Sequence, residues 1–123
     1  MTKEIMEIMS KAEQKYLATV KVYGMNNRLQ TLYSRKLEEA WKDIVNKASA
    51  CVRLGLISQS QVDTLASKLQ ARVRATHKKA YEMYVQEFCG GSEHEACVQY
   101  WMYHNELTRE KAEEFVKWLE EDE

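Results

Sequence analysis

The sequence contains no proline and only 4 glycines in 123 residues. Proline removes a backbone donor and glycine costs backbone entropy, so both interrupt helices. Their scarcity excludes a turn-rich β-sandwich or barrel, which needs such residues roughly every ten positions. Long apolar runs are missing too: none approaches the roughly 20 residues that a bilayer span requires. The first ten residues carry Lys3, Glu4 and Glu7 within their apolar pattern, so neither a signal peptide nor a membrane association is expected. The 3 cysteines are odd in number and irregular in spacing, which argues against a disulfide framework. A reducing compartment, the cytoplasm, is the expected location.

What remains is ordinary for a folded domain: 45% hydrophobic and 30% charged residues. A chain of this length suits a single domain over 1–123. It can bury roughly two thirds of its unfolded surface.

The glycines punctuate periodic segments. Gly55 fits the left-handed position past a helix end, with Leu56 able to fold back onto Cys51. Ser58 and Gln61 then form a capping box, flanked by Ile57 and Val62 as a hydrophobic staple. Ser92 with Glu95 repeats the box after Gly90-Gly91, and Asn27 with Gln30 is a weaker version after Gly24. Asn105 can end a helix and Thr108 can cap the next. Helices are expected over 3–23, 28–54, 59–88, 93–104 and 109–120. Apolar stripes support the first three: Ile5, Ile8, Ala12, Tyr16, Thr19 and Tyr23; Leu37, Ala40 or Trp41, Ile44, Ala48 and Cys51; Val62, Leu65, Leu69, Val73, Thr76, Ala80, Tyr84 and Phe88. The expected fold is all-α: an antiparallel bundle of three long helices over 1–91, then a short helical pair with an acidic tail over 92–123. The third helix would be about 45 Å long, long enough to project or to pair with a second copy.

The net charge of −1 conceals a segregation along the chain. Residues 11–79 hold 14 basic and 5 acidic side chains, net +9, whereas residues 80–123 hold 3 and 12, net −9. The densest basic stretch is Lys68, Arg72, Arg74, Lys78 and Lys79, with His77 among them. Helical spacing puts Lys68, Arg72 and Lys79 on one face and Arg74 and Lys78 on a neighbouring one, all on the outward side. Such a stripe suits a phosphate backbone or an acidic protein surface. The alternative is a solvated helix face. The turn before Ser58 has the size of a DNA-reading hairpin, but its Ala and Gly spacing fits that motif poorly. The acidic tail through Glu120, Glu121, Asp122 and Glu123 could mimic phosphates, shield the basic helix or simply solubilise the chain.

Cys89, His94, Cys97 and His104 fall within sixteen residues, and all are ligand types that zinc accepts. Their spacing matches no standard finger, so they are candidate ligands only, beside the simpler reading of two buried thiols and two ordinary histidines. No cofactor is expected. The run Val98-Gln99-Tyr100-Trp101-Met102-Tyr103 points large groups in every direction on a helix. Part must pack under the last helix through Phe115 and Trp118, and part is available to a partner. Tyr100, Trp101 and Tyr103 are the candidate protein contacts, of the type enriched at interface hot spots.

No Gly-rich phosphate loop, His-Glu-x-x-His, nucleophile elbow or deaminase signature is present, and a small helical domain leaves little room for a deep pocket. The chain is therefore expected to be a non-enzymatic binding protein. It would engage or inhibit a nucleic-acid-associated machine, with a protein or ribonucleoprotein as partner. Size and charge segregation place it in a class with phage or mobile-element inhibitors of bacterial defence nucleases, an analogy of class alone. Two alternatives are a sequence-tolerant nucleic-acid-binding accessory protein, acting as a homodimer, and a structural helical subunit of a larger assembly.

Overall fold

The computed structural model of the chain describes residues 2–121. Among these it holds five helices and no strand: α1 (Thr2–Tyr23), α2 (Arg28–Arg53), α3 (Gln59–Phe88), α4 (Glu93–His104) and α5 (Arg109–Glu121). The protein is all-α, with three long helices followed by a short pair. No described helix is long and apolar enough to cross a membrane.

Local chemistry sets the boundaries. At the end of α2, Leu56 N–H donates to Cys51 O (3.0 Å) and Gly55 N–H to Val52 O (2.9 Å). This is a Schellman pair, and it needs the positive φ of Gly55, +73°. The Leu56 side chain itself is 70% exposed. At the start of α3, Gln61 N–H donates to Ser58 Oγ (3.2 Å), and Ser58 N–H donates to Gln61 Oε1 (2.9 Å), so the capping box closes in both directions. Ser92 accepts from Glu95 N–H at 3.2 Å, but the Glu95 carboxylate is drawn away to Arg109 and that box is one-sided. Asn27 Oδ1 caps Leu29 N–H, and Thr108 Oγ1 caps Lys111 N–H.

Two compact units divide the chain, Met1–Tyr81 and Glu82–Glu123. In the first, α1, α2 and most of α3 bury Met9, Tyr16, Val20, Leu37 and Leu69 almost completely. Each such aliphatic side chain stabilises the fold by about 1.5–3 kcal/mol. The α1 stripe is rotated from the expected one: Met9 and Val20 are buried, while Ile8 and Tyr23 are 50% and 51% exposed. A buried polar group also ties the three helices. Tyr16 of α1 shares a hydrogen bond with His77 Nδ1 of α3 (3.1 Å), and His77 Nε2 faces Glu38 Oε1 of α2 at 3.5 Å. Burial raises the Tyr16 pKa, partly offset by hydrogen bonds to Gln30 and Ser34.

The second unit is built from the last turns of α3 with α4 and α5. Val98, Ala112 and Val116 form its centre, packed by Trp101, Met102 and Leu107. Tyr84 donates to Gln99 Oε1, and Gln99 donates to Glu95. Arg109 then grips Glu95 with two hydrogen bonds (2.8 and 2.6 Å) and Glu113 with a third (2.9 Å).

Candidate functional site

The unit boundary coincides with the charge boundary. Residues 1–81 contain 15 basic and 7 acidic side chains, net +8, and residues 82–123 contain 3 and 12, net −9. Each unit therefore carries its own field, and each has its own candidate surface.

On the basic unit, the five residues of the α3 stretch are not equivalent. Lys68, Arg74, Lys78 and Lys79 are exposed and hold no ion pair among the described residues. Arg72 corrects the expectation of a fully outward stripe. Its guanidinium turns in toward α1, with Nε 2.6 Å from Glu13 Oε1 and Nη2 donating to Ser10 Oγ at 2.9 Å and Glu13 Oε2 at 3.1 Å. It is a structural clamp. Density of charge in the sequence also overlooks α2. There Arg28, Arg35 and Lys42 are spread at intervals of seven, which places them on one line of the helix. All three are exposed. The signal was their period, not their local concentration.

The basic unit also has an apolar cavity of about 290 Å³, walled by Ile5, Ile8, Ile44, Ala48, Ile57 and Leu65. The polar groups at its edge include Asp43 and Lys47, paired with each other at 3.0 Å.

On the acidic unit, an unbroken series of rings crosses α4 and α5. His104 lies 4.5 Å from Tyr100 between ring centres, Tyr100 5.4 Å from Trp101, Trp101 4.5 Å from Phe115, and Phe115 5.6 Å from Trp118. Trp101 is half-buried beneath α5, whereas Tyr100, Tyr103 and Trp118 are 52%, 59% and 56% exposed. The run thus serves both packing and display. Glu114 and Glu121 share the Trp118 face of α5, and Glu93 lies two turns before Tyr100 on α4; none of the three is in an ion pair among the described residues. Of the acidic tail, Asp122 and Glu123 lie outside the described residues.

The four metal-ligand candidates do not converge: among the described residues no three His, Cys, Asp or Glu side chains gather as a metal site. His94 Nδ1 donates to Glu120 at 2.7 Å, and that bond raises the His94 pKa. His104 leans on Tyr100, Cys89 is buried and Cys97 is exposed. Desolvation raises the pKa of both thiols: at Cys97 the carboxylates of Glu120 and Glu93 add to it, and at Cys89 a Tyr84 hydrogen bond pulls partly back while Glu95 adds a smaller rise. Neither is poised as a thiolate. No protein-family model, curated protein or solved structure matches this chain.

Proposed function

We propose that this is a non-enzymatic cytoplasmic binding protein that engages and blocks a nucleic-acid-associated protein machine, with the acidic unit as its contact surface. The supporting observation is the run of rings from Tyr100 to Trp118, half of it exposed, on a unit of net charge −9. A protein that handles nucleic acid offers cations to phosphates and flat apolar platforms to bases. Exposed rings among unpaired carboxylates complement both features. Tyr and Trp supply the desolvated anchors of an interface, and the acidic field steers association with a basic target. A phage or mobile-element product that inhibits a defence nuclease is one instance of this class. The half-buried thiol of Cys51 and the apolar lining of the basic unit's cavity fit packing better than catalysis.

The test is affinity capture with the tagged full chain, before and after nuclease treatment, beside a Tyr100→Ala/Trp118→Ala variant. The expected result is a nuclease-resistant set of nucleic-acid-handling proteins that the variant fails to retain. Identical sets from both proteins would count against this surface.

A second reading, a direct and sequence-tolerant nucleic-acid binder, is favoured by the free cations on α3. Its mark is an affinity for free nucleic acid that falls steeply with salt.

A further inference from the structure

We propose that the phosphate-binding surface of the basic unit is the seam between α2 and α3 on the side away from α1, with Arg35, Lys42, Arg74 and Lys78 as its core. It takes the backbone of a nucleic acid. This inference rests on the second reading above and moves its centre from the α3 stretch to a surface shared with α2.

The geometry follows from one contact and the helical step. Glu38 of α2 and His77 of α3 face each other at 3.5 Å and mark the seam. Arg35 and Lys42 lie three before and four after Glu38, so both are rotated from it by about half a right angle in one sense. Arg74 and Lys78 lie three before and one after His77, rotated in the same sense about their own axis. The two helices run antiparallel through the tight turn at Gly55, so these rotations carry all four cations to one common surface. Arg72, on the opposite flank of α3, contacts Glu13 of α1. The shared surface is therefore the one remote from α1. Lys68 and Lys79 stand on the Arg72 flank and do not belong to it.

The α2 side of this surface extends further. Arg28, Arg35 and Lys42 follow one another at about 10 Å, and Arg53 continues the line to about 38 Å from Arg28. All four are exposed, and none forms an ion pair among the described residues. Asn46 and Ser49 fall along the same line and supply uncharged donors, which phosphate oxygens accept as readily, whereas the Thr31 hydroxyl on that line already donates to Asn27 O (3.3 Å). Glu39 stands beside the line and pairs with none of its cations. At one end, Asn26, Arg28, Thr31 and Arg35 line a shallow depression of about 340 Å³. A rigid row of evenly spaced cations and neutral donors matches a repeating phosphodiester better than it matches a protein surface. A protein surface needs desolvated aromatic anchors, which this chain displays on its other unit.

The experiment is fluorescence anisotropy with the full chain and labelled duplex DNA, duplex RNA and single-stranded RNA, each over a series of salt concentrations. Wild type is expected to bind at low salt, with log affinity falling linearly in log salt. The variant Arg35→Gln/Lys42→Gln/Arg74→Gln/Lys78→Gln, with helicity by circular dichroism equal to wild type, is expected to lose about 3 to 4 from that slope. Lys68→Gln/Lys79→Gln is expected to keep most of it. The preferred probe distinguishes a paired backbone from a single one. If wild type binds no nucleic acid, the second reading and this inference both fail. If binding is lost in Lys68→Gln/Lys79→Gln and kept in the seam variant, the second reading stands and the seam is wrong. Displacement by poly-glutamate at equal charge would overturn the nucleic-acid assignment in favour of an acidic protein.

Discussion

Arg72 of α3 closes on Glu13 of α1 with Nε 2.6 Å from Oε1, and the two side chains are only 29% and 17% exposed. A cation in the most basic stretch of the chain is thus spent on joining two helices. Removing it leaves Glu13 partly desolvated without its partner, which costs about 2 kcal/mol. Arg72→Ala should therefore lower the urea midpoint clearly, whereas Lys78→Ala should stay within about 0.5 kcal/mol of wild type. Equal effects from the two variants would mean that Arg72 is an ordinary surface residue.

Glu106, between α4 and α5, has φ +52°, in the left-handed region where a side chain is strained. Asn105 ends α4 at φ −119°, so the left-handed step falls one residue beyond the Asn that a sequence reading would choose. Glu106→Gly relieves the strain and should stabilise the protein by about 1 kcal/mol. Thermal unfolding measures this; a lower midpoint in the glycine variant would contradict the conformation.

The His94–Glu120 pair makes the acidic unit sensitive to pH in one direction. The Glu120 carboxylate holds the folded His94 pKa above its ordinary value. A raised pKa contributes stability that is fully present below the unfolded value and is lost as pH rises through the folded one. The tie between α4 and α5 should therefore weaken from mildly acidic toward alkaline pH. Following the His94 ring protons by NMR, Glu120→Gln should move the titration to lower pH, back toward the ordinary histidine value. An unchanged titration in that variant would show that the bond is absent in solution.

The helices and their junctions were legible in the sequence because their causes are local. Gly55 with Leu56, and Ser58 with Gln61, each close within a few residues, so spacing alone carries the information. The second box was half legible, since Glu95 finds a stronger partner in Arg109, fourteen residues on. The choice between Ile8 and Met9 on α1 was not legible. Apolar rows containing either residue run through Tyr16, and only the position of the neighbouring helices selects the Met9 row. The inward turn of Arg72 was hidden for the same reason: its flank position becomes a contact only once Ser10 and Glu13 are brought beside it. The aromatic run told that packing and display would be divided, and the structure assigns Trp101 to the first and Tyr100 and Tyr103 to the second.

The central claim is that the acidic unit occupies a surface its partner uses for nucleic acid. It is tested most directly by adding this protein to a captured partner already loaded with a labelled oligonucleotide and following the anisotropy of the label. The account predicts release of the oligonucleotide by wild type, and a loss of that release in Tyr100→Ala/Trp118→Ala. A stable ternary complex with the oligonucleotide retained, or equal release by the variant, would contradict it.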